Sequence, residues 1–180
     1  TVFADDFSDG IAAYGKSDFK TAVKLLRHLA MQGDAKAQAM LGYMYKYGQG
    51  VPEDNKQASK WFRLAAGQGD ATSQFNLGLM HVRGDGVEVN YKKAIKLYRL
   101  AAEQGLGNAQ YNLGNMYANG NGIPEDTVLA YMWWDLASAN GMKDASSANK
   151  EKISQEMNYS QIAEAQKLSR KCLKKNYKDC

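Results

Sequence analysis

Proline is almost absent from this chain. Only Pro52 and Pro124 occur in 180 residues, so long helices meet little interruption, since proline is the residue that breaks a helix interior. Histidine is equally scarce, with His28 and His81 far apart. The two cysteines, Cys172 and Cys180, lie at the C-terminal end. That distribution gives no zinc site, which needs several Cys or His ligands at defined spacing. No apolar run approaches the roughly 18 residues of a membrane span. Excess charge is lacking too: 23 Lys and Arg against 19 Asp and Glu leave a net +4. A dedicated nucleic-acid binder would need clustered basic charge, so that class is set aside. The catalytic signatures are also missing. There is no H-E-x-x-H, no G-x-S-x-G, and no Cys–His pairing. We therefore expect no catalytic residue, no metal and no cofactor.

What the chain has is repetition. MQGDAKAQAMLGYMYKYGQGVPED starts at Met31, GQGDATSQFNLGLMHVRGDGVEVN at Gly67 and EQGLGNAQYNLGNMYANGNGIPED at Glu103. The period is 36 residues and needs no gap. Ala22, Ala58, Ala94 and Ala130 correspond, as do Leu26, Phe62, Tyr98 and Trp134. Such self-similarity marks a stacked array of one supersecondary unit. Each unit reads as two helices. The first spans about 35–46, with Ala37, Leu41, Met44 and Tyr45 on one face; the second spans about 55–66, with Ala58, Trp61, Phe62 and Ala65. Asp18, Asp54, Asn90 and Asp126 precede the second helices and fit N-caps. Gly33, Gly69, Gly105 and Gly141 fit left-handed helix ends. Gly42, Gly78 and Gly114 fall inside first helices, where glycine costs about 1 kcal/mol against alanine, so a neighbouring helix should leave no room for a methyl group. The G-x-G loops at 48–50, 84–86 and 120–122 follow helices rather than strands, so they read as turns and not phosphate cradles. The resulting division is 1–34 as N-terminal capping helices, repeats at 35–70, 71–106 and 107–142, and 143–180 as C-terminal capping helices with a basic tail.

The pattern Ala37, Leu41, Gly42, Tyr45, Gly48, Gly50, Val51, then Asp54, Ala58, Trp61, Ala65, Ala66 and Gly69 resembles the Sel-one-like repeat, a relative of the tetratricopeptide repeat. The second copy departs at Ser73 and His81; the third returns with Ala109, Leu113, Gly114, Tyr117, Gly120, Gly122 and Ile123. The resemblance implies an all-α fold, a right-handed α-solenoid of stacked helix-turn-helix repeats whose first helices line a concave side. It implies a protein-interaction scaffold whose partner is another protein or a peptide segment. Some secreted, cysteine-rich relatives are linked to β-lactam or cell-wall chemistry, so a cell-wall glycan or β-lactam-related binding protein or hydrolase is the alternative. This chain lacks their within-repeat cysteines.

Val2, Phe3 and Ala4 fit the small-residue end of a cleaved signal peptide, with maturation after Ala4. Cys172 and Cys180 at close spacing permit a disulfide in an oxidising compartment. Together they suggest a periplasmic or secreted protein. Beyond about Ala145 the chain leaves the repeat pattern. Asn158 or Ser160 fits the cap of a last helix carrying Lys167, Arg170, Lys171, Lys174, Lys175 and Lys178. That basic face is either solvated or in contact with anionic lipid or cell-wall polymer.

The first helices carry a second stripe whose chemistry changes between copies. In the third repeat it is Asn108, Asn112, Asn115 and Asn119. In the second, Asn76, Leu79 and Arg83 belong to it; in the first, Met40, Tyr43 and Tyr47. An amide offers both a donor and an acceptor, so such a stripe can pair with a peptide backbone without charge. The alternative is an ordinary exposed face, with Asn108 capping its helix. Trp133 and Trp134 occupy the positions of Leu97 and Tyr98 and so fit the core better than a sugar platform. Self-association through the terminal helices is a third mode.

Overall fold

The structure is a computed structural model that describes residues 3–178 and 180. The candidate processing segment starts at Val2, outside the described residues. Among those residues the chain is all-α, with ten helices: α1 (Phe3–Gly15), α2 (Phe19–Met31), α3 (Ala35–Lys46), α4 (Asn55–Gly67), α5 (Ala71–Arg83), α6 (Tyr91–Ala102), α7 (Gly107–Asn119), α8 (Thr127–Ala139), α9 (Lys143–Ser154) and α10 (Tyr159–Lys174). Two compact units divide the chain, Thr1–Val89 and Asn90–Cys180. Within each, consecutive helices pack against one another, as in a solenoid, except that the last helix, α10, packs against α8.

The N-caps form where the sequence places them. Asp18, Asp54, Asn90 and Asp126 each accept a hydrogen bond from the backbone N–H three residues on, at 2.9–3.2 Å. The hydrogen bonds from Thr21 hold the Asp18 carboxyl below its ordinary range. Asp34 and Asp70 do the same for α3 and α5, bonding Ala37 and Ser73 N–H. In α7 the equivalent position is Leu106, which offers no side-chain cap, so Asn108 does not cap that helix.

The cores follow the repeat. In the first unit Ala22, Leu26, Ala37, Leu41, Ala58 and Phe62 are fully buried; in the second, Ala94, Ala109, Leu113, Ala130 and Leu136 are. Each such leucine contributes roughly 1.5–3 kcal/mol relative to an exposed one. The helix-interior glycines sit under aromatic rings. A Cβ on Gly42 would lie 2.6 Å from Phe62 Cδ1, and one on Gly114 2.6 Å from Trp134 Cδ1. The second glycine of each G-x-G loop lets the turn approach the start of the preceding second helix. Gly86 meets the Asn55 backbone, and Gly122 meets Tyr91.

Two polar ties recur at the repeat period. Gln38, Gln74 and Gln110 are buried and donate to the carbonyls of Ala30, Ala66 and Ala102 at 3.0, 3.3 and 3.1 Å. Gln38 also accepts from Gln68, and Gln110 from Asn140. These amides satisfy carbonyls at helix C-termini, which have no intrahelical partner. Arg27 donates to the Tyr45 hydroxyl and Arg99 to the Tyr117 hydroxyl, both at 2.8 Å. His81 replaces the middle tyrosine; it is buried, and its Nδ1 lies 3.0 Å from the Glu88 carbonyl.

At the C-terminus Asn158, not Ser160, caps α10, in a reciprocal box with Gln161. Asp135 on α8 holds both following helices: Lys150 at 2.7 Å and Ser169 at 2.5 Å. Cys172 and Cys180 are bonded, with Cα atoms 5.4 Å apart. Within that loop Tyr177 donates to Asn140 Oδ1 at 3.0 Å, and its ring lies over Gly105. Opening the loop by Cys172→Ser with Cys180→Ser is expected to cost about 2–3 kcal/mol, because the bond restricts the unfolded chain. Urea unfolding of the oxidised protein beside the variant measures it.

Candidate functional site

The two units present the candidate stripe in different chemical states. In the first, α3 and the residue that ends it supply Met40, Tyr43 and Tyr47, and α5 supplies Asn76, Leu79 and Arg83. Asn76 is not on the surface. Its side chain is 4% exposed and donates to the Tyr43 hydroxyl and the Thr72 carbonyl, both at 2.8 Å. It also accepts from Lys46 Nζ at 3.4 Å. Asn76 therefore ties α5 to α3 and has no free amide for a partner. Met40 is half-buried, with one side packed against the core around Leu41. Burial raises the Tyr43 phenol above its ordinary pKa, and the Asn76 bond partly opposes this. Tyr47 remains available. It is 59% exposed, stacks on Tyr43 at 6.3 Å between centroids, and has Lys46 Nζ 5.4 Å from its ring. Arg83 is exposed and Leu79 half-buried.

In the second unit α7 carries the asparagines. Asn115 is also committed internally: its Oδ1 accepts from Trp134 Nε1 and from Asn149 Nδ2, each at 3.1 Å. Trp134 donates in addition to the Tyr111 carbonyl at 3.2 Å, and Asn149 to the Tyr111 hydroxyl at 3.1 Å. Asn119 donates to the Asn115 carbonyl at 2.8 Å. Asn108 is exposed and Asn112 half-buried, and neither makes a side-chain hydrogen bond among the described residues. The stripe thus mixes two roles. Asn76 and Asn115 join helices, while Asn108, Asn112 and Asn119 face outward.

A cavity of about 350 Å³ opens above Asn115. Its walls are Tyr111, Asn119, Trp134, Asn149, Lys152 and Glu156. The floor exists because Gly114 gives the Trp134 indole room to reach Asn115. Lys152 and Glu156 are exposed, Lys152 in the last turn of α9 and Glu156 in the turn that follows it. The site therefore offers amides, a phenol, one cation and one anion, which suits a polar extended chain. The α9 residues were not foreseen, because the sequence after 145 leaves the repeat pattern. The signal was positional: α9 begins at Lys143, one period after Gly107. Trp133 and Trp134 are 1% and 4% exposed, so neither forms an open sugar platform. No cluster of three or more His, Cys, Asp or Glu side chains fit for a metal ion occurs among the described residues. None of the described helices is long and apolar enough to cross a membrane.

Comparison with known proteins places this architecture. No curated protein matches the sequence significantly. Among solved structures, a Sel1 repeat protein from Oxalobacter formigenes is 33% identical, with a TM-score of 0.75 over 80% of this chain and 59% of its own. The protective antigen c5321 of uropathogenic Escherichia coli strains, which displays an SLR fold, is 37% identical with a TM-score of 0.80 over 87% of this chain and 34% of its own. The chain thus spans less than two thirds of the length of either. Proteins built of such repeats generally serve as protein-interaction scaffolds. The Sel1 repeat profile matches residues 35–70, 71–106 and 107–142, more than half of the sequence, and the chain belongs to the Sel1 repeat family.

Proposed function

We propose that this chain is a non-catalytic scaffold that acts in the bacterial envelope or outside the cell, holding an extended segment of a partner protein against the first helices of its repeats. The cavity walled by α7, α8 and α9 carries this reading. Its floor is fixed by Trp134, Asn115 and Asn149, and its rim leaves Asn119, Lys152 and Glu156 facing outward. A rigid polar floor with a donor and an acceptor rim can pair with a peptide backbone at little ordering cost. The Cys172–Cys180 bond favours an oxidising compartment.

The test is affinity capture from an envelope extract with the parent and with an Asn119→Ala, Lys152→Ala, Glu156→Ala variant. These three side chains are exposed, so the fold should persist. A protein held by the parent and at least about tenfold weaker with the variant is the expected result, since one such polar contact is worth roughly 0.5–1.5 kcal/mol. Equal capture by both would move the binding surface elsewhere. Retention of glycan alone would favour the cell-wall alternative.

A further inference from the structure

The second helices of the repeats share a charge pattern independent of the cavity. α2, α4 and α6 contain no Asp or Glu. In the first unit α2 carries Lys20, Lys24 and Arg27, and α4 carries Lys56, Lys60 and Arg63 at the equivalent positions; all six are exposed. The buried faces of these helices also correspond, with Ala22 matching Ala58 and Leu26 matching Phe62. The two helices therefore turn the same face outward, and Gln68 ties their ends by donating to the Gly33 carbonyl. Among the described residues none of the six cations is in a salt bridge. Arg27 bonds only the neutral Tyr45 hydroxyl. The acidic residues of the first unit lie elsewhere, in α1, the caps and the turns. In the second unit α6 repeats the pattern with Lys92, Lys96 and Arg99.

Apolar side chains stand among these charges. Met31 is 75% exposed at the end of α2, and Leu64 is 51% exposed on α4. A shallow groove runs along α2 between Lys20 and Met31. No part of the core requires these two side chains to face water. Lysine stems lie along apolar surface while their ammonium groups reach outward. A field of cations with interspersed apolar side chains matches the headgroup region of an anionic bilayer, where phosphates meet the charges and methyl groups enter the acyl boundary. A nucleic acid fits less well, since these faces hold no exposed Trp, Tyr or Phe ring for stacking, and Met31 and Leu64 would be set against phosphate.

We infer that the outer face of α2 and α4 is a docking surface for an anionic phospholipid membrane. It does not depend on the partner-binding reading of the α7–α9 cavity.

The test is flotation with vesicles of about 30 mol% phosphatidylglycerol in phosphatidylcholine, beside pure phosphatidylcholine, at low and raised salt. The parent should bind the anionic vesicles only, and release them as salt rises. Reversing Lys20, Lys24, Lys56 and Lys60 to Glu should weaken binding by about a hundredfold or more, given the attraction of each surface cation. Met31→Ser with Leu64→Ser should weaken it further at raised salt, where charge contributes less. Reversing Lys171, Lys174 and Lys175 on the other basic helix end is the control and should leave most binding in place. The inference fails if the parent does not float, if the α2 and α4 variants float like the parent, or if duplex DNA binds as tightly as the vesicles. Helicity and melting of each variant confirm that the lost binding is not lost folding.

Discussion

Gly86→Ala should lower the stability of the first unit by about 2–4 kcal/mol, whereas Gly69→Ala should cost about 1. Both glycines have a left-handed backbone, with φ of +68° and +94°. That conformation alone costs an L-residue roughly 1–2 kcal/mol. The difference lies in what an added Cβ would meet. At Gly69 nothing is within 4 Å. At Gly86 the Cβ would fall 2.3 Å from the Asn55 carbonyl carbon and 2.6 Å from the Lys56 nitrogen. These are backbone atoms of the first turn of α4, so no side chain can rotate out of the way. Relief would require the 84–86 turn to lift from α4, which is how one repeat is held to the next. Urea unfolding of the two variants side by side measures the gap. Equal losses would mean that backbone conformation alone, and not close approach, selects the second glycine of the G-x-G turn.

The sequence periodicity exposed such positions without naming their cause. The helices at 35–46 and 55–66, their second-helix caps and the glycines under Phe62 and Trp134 could be read because each rests on local rules or strict recurrence. Other features needed the third dimension. Gln38, Gln74 and Gln110 recur every 36 residues, each after a small residue (Ala37, Ser73 or Ala109), yet a glutamine on a helix looks like a solvated residue until it is found buried on a carbonyl. The asparagine stripe misled in a related way. Helical spacing shows that Asn112 and Asn115 face away from Leu113, but not that Asn115 is covered by Trp134 and Asn149 of later helices. Variation between copies suggests freedom from packing. At Asn76 it instead reflects a neighbour that also varies, since Tyr43 supplies the hydroxyl that the amide binds. The cavity rim at the end of α9 and the turn after it was illegible because Lys152 and Glu156 lie where the repeat consensus has already faded.

Trp134→Ala should cost about 3–5 kcal/mol and at the same time abolish the partner binding proposed for the cavity. The indole is 4% exposed, so its removal leaves a void between α7 and α8. It also removes the N–H that reaches Asn115 Oδ1 and the Tyr111 carbonyl. Trp134→Phe separates the two contributions. Phenylalanine keeps most of the apolar contact, and Asn115 Oδ1 still accepts from Asn149. The Tyr111 carbonyl still has its place in the helix ladder, so the loss should be only about 1–2 kcal/mol. Binding then becomes the informative measurement, made on the folded fraction of each variant. If Phe at 134 preserves affinity, the cavity needs the shape that the ring maintains, and Asn115 acts as a strut. If affinity falls while stability changes little, the orientation that the indole N–H gives to Asn115 is itself part of recognition. A replacement at Asn115 cannot make this distinction, because it leaves the indole with only the 3.2 Å bond to Tyr111 and disturbs floor and amide at once.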